Sequence, residues 1–167
     1  MSEKFEALDE KHIEFIDRQN LYFVGTAGAE GKVNVSPKGM DSFRVINEQR
    51  VVWLNLTGSG NESAAHVQEN GRMTVMFCSF DKQPLILRLY GTVKTIHPRD
   101  TQWHEAIANF PEQAGARQLF EIELSLVQTS CGYAVPLFEN KKERQTLKKW
   151  AENKGQEGVE DYWREKN

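Results

Sequence analysis

The stretch LNLTGSGNESAAHVQENGR, residues 54–72, holds the residue types best suited to gripping a small anion. It leaves a strand-like run, crosses a polar turn with Thr57, Gly58, Ser59, Gly60, Asn61 and Ser63, and enters a segment patterned as a short helix. Backbone N–H groups at a helix start are unpaired and carry the positive end of its dipole. Glycines let that backbone approach a ligand, and hydroxyl and amide side chains add neutral donors, so Asn61, Ser63 and the N–H groups of Ala64 and Ala65 could hold a phosphate. The structural explanation is the simpler one: Asn61 is an N-cap, Glu62 favours the first turn, and the glycines make a loop. The spacing matches no nucleotide-binding fingerprint, and both readings stay open.

Two cations could assist. Lys38 follows the VNVSP run directly, and Arg88 lies inside LILRLYG, where Leu87 and Leu89 must point the other way. Arg88 shares its face with Ile86 and Tyr90, and a desolvated guanidinium needs a partner, either a bound anion or a carboxylate of the chain.

Other chemistry is sparse. His12, His66, His97 and His104 show no HxxxH or HxH spacing, so no metal site is expected. No GxSxG occurs, no nucleophile–base pair is evident, and the catalytic residues stay unassigned. Cys78 and Cys131 are far apart without CxxC spacing; Cys78, in an apolar strand, reads as an inert core thiol. A protein with so little chemistry of its own that acts as an enzyme borrows it from a cofactor.

The elements that must position these residues are mainly strands. LYFVGTAG and VNVS flank the turn AEGK, and DSFRVIN and RVVWLNL flank EQ. RMTVMFCSF, the turn DKQP and LILRLYGTVKTI follow. QLFEIELSLVQTS alternates, with Phe120, Ile122, Leu124 and Leu126 predicted to face inward. Phe5, Leu8, His12, Phe15 and Ile16 predict an N-terminal helix over about residues 5–19, and PRDTQWHEAIANF predicts another. A charged helical tail is expected over about 140–165, with Leu147, Trp150 and Ala151 on one side and loosened by Gly155 and Gly158.

About six strands with short links predict a mainly β fold with helical additions, a closed or split antiparallel barrel, as a single domain over residues 1–167. The formal charge of -3 gives no bulk attraction for nucleic acid or an anionic membrane. No apolar run approaches the roughly 20 residues that span a bilayer, and the first residues are too polar for a secretion signal, so a cytoplasmic protein is expected.

In their order, the N-terminal helix, the hairpin LYFVGTAGAEGKVNVSPKG, RVVWLNL, the turn with NESAAHVQENGRMTVMF, and LILRLYGTVKTI resemble the pyridoxamine 5'-phosphate oxidase-like family of FMN-binding split barrels over about residues 5–155. CGYAVPLFE and the charged tail look like an uncharacterised branch. The resemblance implies a homodimer with FMN in a groove between subunits, its phosphate held by basic and hydroxyl side chains. Carried onto this chain, it places Ser36 and Lys38 on the second strand, Asn55, Leu56 and Thr57 at the end of the strand along the cofactor, Asn61, Glu62 and Ser63 in the phosphate turn, and Arg88 on the strand beside the ring. The turn lacks the family's two basic residues, so phosphate charge would rest on Lys38, Arg88 and the helix N-terminus. The arginine/histidine pattern that family oxidases use for the pyridoxal substrate is also absent. The implied function is an FMN-dependent oxidoreductase on another small molecule. The alternative is a non-catalytic module binding FMN, haem or a deazaflavin, and a third reading is a cofactor-free scaffold.

Overall fold

Among the described residues, the alternating segments become eight antiparallel strands rather than about six. The structure is a computed structural model that describes residues 2–139 and 142–166. In chain order the elements are β1 (Ser2–Phe5), α1 (Glu10–Asp17), β2 (Tyr22–Thr26), β3 (Asn34–Lys38), β4 (Phe43–Asn47), β5 (Arg50–Leu56), α2 (Glu62–Asn70), β6 (Arg72–Cys78), β7 (Ile86–Ile96), α3 (Trp103–Ile107), β8 (Ala116–Ser130) and α4 (Thr146–Lys166). The strand order is β3-β2-β6-β7-β8-β5-β4, with β1 paired to β8. The two ends of this path, β3 and β4, are joined by residues 39–42 alone, so the twisted sheet has curled until its edges nearly meet. Across the seam, the rings of Tyr22 on β2 and Phe43 on β4 lie 5.2 Å apart. The result is the expected barrel, split along one side.

Its interior is filled by Val24, Val51, Trp53, Val75, Phe77, Leu87, Leu89, Phe120, Ile122 and Val127, all essentially inaccessible to water. Fully burying one such large apolar side chain contributes about 1.5–3 kcal/mol. A second cluster, Val52, Leu54, Ile96, Phe110 and Leu119, lies with Trp103, Ala106 and Ile107 of the α3 region. Because residues 51–55 are buried on both faces, this stretch of β5 reads as a continuous run rather than an alternation.

Two expectations change. The predicted helix over 5–19 is shorter, because a capping box fixes its start: Asp9 accepts from the His12 N–H at 2.9 Å, while His12 Nδ1 accepts from the Asp9 N–H at 3.2 Å. Phe5 belongs to β1 instead. β8 outruns β5, whose pairing spans Glu123 to Ala116, and β1 fills the edge left beyond it, from Val127 to Ser130. The inward alternation of β8 also slips a phase. Tyr90 pairs with Leu126 but Gly91 pairs with Leu124, so Ser125 is extra, Leu126 is half-buried and Val127 takes the core position. Gly91 is required there, since a Cβ would strike the Glu123 carbonyl oxygen and come within 2.7 Å of Ile122 Cγ2.

The expected tail helix begins at Thr146; Asn140 and Lys141, at the start of the expected span, lie outside the described residues. α4 is kinked at Gly155, whose φ of 67° and ψ of 171° are not helical.

Candidate functional site

The start of α2 sits where the sequence places it, but its side chains serve the frame. Asn61 is the N-cap residue and makes no side-chain capping bond; its Oδ1 accepts from Gln118 Nε2 at 3.0 Å. Ser63 Oγ accepts from Asn34 Nδ2 at 3.1 Å and from Thr26 Oγ1 at 3.4 Å, tying the helix to β3 and β2. The Ala64 and Ala65 N–H groups both donate to the Asn61 carbonyl, so they are not the free donors expected from the sequence. The N–H groups of Glu62 and Ser63, which precede them, are those without a backbone acceptor in a helix.

Lys38 lies on the inner side of β3, close enough to Glu62 at the start of α2 for their charges to interact. It pairs with Tyr22 in the ladder and therefore points to the inner side, as do Ser36 opposite Val24 and Asn34 opposite Thr26. Its Nζ lies 5.1 Å from the centre of the Trp53 ring. Desolvation pushes its pKa below the ordinary value, and the nearby Glu62 carboxylate partly offsets that shift. Among the described residues no carboxylate forms a salt bridge with it. Buried Asn55 pairs in register with buried Gln118, which reaches Asn61, so these three make a polar floor. The fold therefore places Ser36 and Lys38 on the inner side of β3, links Asn55 through Gln118 to Asn61, ties Ser63 to Asn34 of β3, and sets Glu62 within charge reach of Lys38.

It does not join the rest to them. Leu56 packs on the outer apolar cluster. Thr57 is spent on architecture: its Oγ1 donates to the Gly115 carbonyl at 2.9 Å and accepts from Trp163 Nε1 at 3.0 Å. Arg88 lies in the row Pro37–Phe23–Met76–Arg88–Gln128, which faces the opposite side of the wall from the Lys38–Tyr22–Phe77–Leu87 row. Its Nη1 donates to Ser130 Oγ at 3.0 Å, so within one chain Arg88 is not the second cation of the mouth.

Beyond Lys38 the seam opens into a cleft of about 1470 Å³, larger than the roughly 300–1,000 Å³ of ordinary small-molecule pockets. Tyr22, Phe43 and Phe77 form an aromatic cluster in its lining, with centroids 5.1–5.4 Å apart, and Trp150 of α4 lines it too. Met40 and Asp41 in the seam loop have φ of 61° and 51°, an uncommon conformation for such side chains. It is held by Arg44, which donates to both Asp41 oxygens at 2.6 and 2.9 Å, and by Gln113 Nε2 on the Met40 carbonyl at 2.8 Å. The Tyr22 hydroxyl bonds Ser42 Oγ at 2.7 Å, and burial raises its pKa far above the ordinary range. Sequence reasoning missed this cleft and Gln118, because both depend on strands distant in the chain. Among the described residues no cluster of histidine, cysteine or carboxylate side chains could hold a metal.

Residues 8–131 match the family model described as pyridoxamine 5'-phosphate oxidase. A pyridoxamine 5'-phosphate oxidase family protein of Aspergillus flavus, ustO, is 39% identical over 140 residues, 81% of this chain and 56% of that protein. The chain thus spans little more than half the length of that relative. Solved structures with a similar fold include HupZ of Group A Streptococcus, with TM-score 0.58 and 19% identity over 71% of this chain and 91% of that one. The heme storage protein HutZ of Vibrio cholerae gives 0.55 and 19%, covering 75% and 97%. An FMN-binding protein of Syntrophomonas wolfei gives 0.51 and 14%, covering 75% and 83%.

Proposed function

Because the chain belongs to the pyridoxamine 5'-phosphate oxidase family, we propose that it binds FMN with the phosphate at the mouth of α2 and uses it as an oxidoreductase on a small molecule. One observation carries the reading: Lys38 is a half-buried, desolvated cation without a salt bridge among the described residues, and its charge feels Glu62, the first residue of a helix whose cap side chain is turned elsewhere. A phosphate there would gain the lysine charge and the first-turn N–H groups, and the glycines at 58 and 60 let backbone come close. The Glu62 carboxylate is the group that would have to turn away. The solved relative described as FMN-binding adds support at the level of the fold.

Bound FMN would supply hydride or single-electron transfer. This chain would bind its phosphate through Lys38, support the α2 start through Gln118, Asn61 and Asn34, and shelter a small substrate in the aromatic cleft. The working unit proposed is a cytoplasmic homodimer; among the described residues no helix is long and apolar enough to cross a membrane.

A second reading is cofactor binding without turnover, whether of FMN, haem or a deazaflavin. It draws on the Tyr22 hydroxyl of the cleft, which is bonded to Ser42 Oγ and whose pKa burial raises. The absorption spectrum of the purified protein, with mass spectrometry of what denaturation releases, tests the first reading. A colourless protein that gains no flavin spectrum with FMN would overturn it. Addition of a reduced nicotinamide separates the two readings, because only the enzyme turns over.

A further inference from the structure

Among the described residues, the buried side-chain nitrogens and oxygens without a hydrogen-bond partner are Thr95 Oγ1 and Arg117 Nη1. No carboxylate among them forms a salt bridge with Arg117 either. Arg117 is half-buried, and desolvation pushes its guanidinium pKa down. Its position has a cause in the ladder. Asn55 pairs with Gln118 and Leu56 with Ala116, so Arg117 is the extra residue of a bulge, a device that re-aims one side chain out of the alternation.

The bulge lies at the end of β5, beside the glycine turn. The Arg117 guanidinium carbon is 5.3 Å from the centre of the Trp163 ring, and Trp163 Nε1 bonds Thr57 Oγ1. Between the turn and α4 is a hollow of about 130 Å³ lined by Thr57, Gly58, Ser59, Leu147, Trp150 and Tyr162, well above the ~10–15 Å³ that admits one water. Trp163 belongs to the half of α4 that follows the kink at Gly155, whose backbone angles fall in a region essentially confined to glycine.

We propose that Arg117 is an anion-binding residue kept under Trp163, and that it pairs with the phosphate of a ligand seated at the 57–60 turn when the second half of α4 swings aside at Gly155. The inference rests on the phosphate site proposed above, and it supplies the second cation that Arg88 does not. A guanidinium suits phosphate because its donors match two oxygens at once. The stack on Trp163 holds the charge until then.

Calorimetric titration of the wild-type chain, Arg117→Gln and Arg117→Lys with FMN, riboflavin and inorganic pyrophosphate tests it. Arg117→Gln is expected to weaken FMN and pyrophosphate by about 10- to 100-fold and leave riboflavin unchanged, with partial recovery in Arg117→Lys. Bound ligand should also speed proteolysis within 156–166. Unchanged affinity for both phosphates in Arg117→Gln, or an equal loss for riboflavin, would overturn the proposal and leave Arg117 as a tail anchor. If the wild type binds pyrophosphate through Arg117 but no flavin, the flavin reading fails and this one stands. Binding of none of the three sinks both.

Discussion

Burial depresses the pKa of Lys38, so the folded chain holds that proton less tightly than the unfolded chain does. Between the depressed value and the ordinary 10.5 the unfolded state carries more protons, and the stability of the ligand-free protein therefore rises with pH across that window. Replacing the charge with an apolar chain of similar length should remove the penalty. Lys38→Met is expected to melt higher than wild type at neutral pH and to lose the rise in stability toward alkaline pH, read by thermal denaturation across a pH series. A cation that weakens the empty fold is what an anion-binding site asks for. Lys38 was legible in the sequence because it follows a strand into a proline and glycine. For Arg88 the alternation with Leu87 and Leu89 is legible in the residues themselves, but only the ladder through Met76 and Phe23 tells which side of the wall it faces. Arg117 left no sequence signal, because a bulge is a property of two paired strands.

The elements owe their limits to local chemistry and their pairing to length. α1 starts at its capping box, and β1 exists because β8 is longer than β5. The short polar SEKF carries no apolar alternation, so nothing in it announces a strand. The helix expected over 5–19 borrowed Phe5 from that strand, because spacing alone cannot see the cap. At the β7–β8 bulge the glycine is the one readable mark. Gly91→Ala should destabilise the fold by about 1–3 kcal/mol, since the new methyl meets the Glu123 carbonyl and Ile122 across a closed ladder. Chemical denaturation would measure it, and a change near zero would mean that the two strands part easily there.

At the scale of the molecule, the wall opposite the mouth is unusually bare. Val33 and Val35 are 71% and 65% exposed, and Pro37, Phe23 and Met76 continue the same outer face. We propose that the homodimer covers this apolar face. Val35→Glu is expected to shift the mass in light-scattering chromatography from two chains toward one with the far-ultraviolet spectrum preserved; a wild-type chain that runs as one copy would refute the dimer. The barrel was readable from strand-like runs and short turns. The closure of its seam was not, because it depends on Tyr22 meeting Phe43 after the sheet has curled.

The flavin phosphate held by Lys38 is the claim on which the functional reading turns. Titration of FMN and riboflavin against wild type, Lys38→Met and Arg88→Met isolates it, since the two ligands differ by the phosphate. The account predicts that wild type prefers FMN by at least about tenfold, that Lys38→Met erases most of the preference, and that Arg88→Met keeps it. Equal affinities in the wild type, or a preference lost with Arg88 and retained without Lys38, would contradict it.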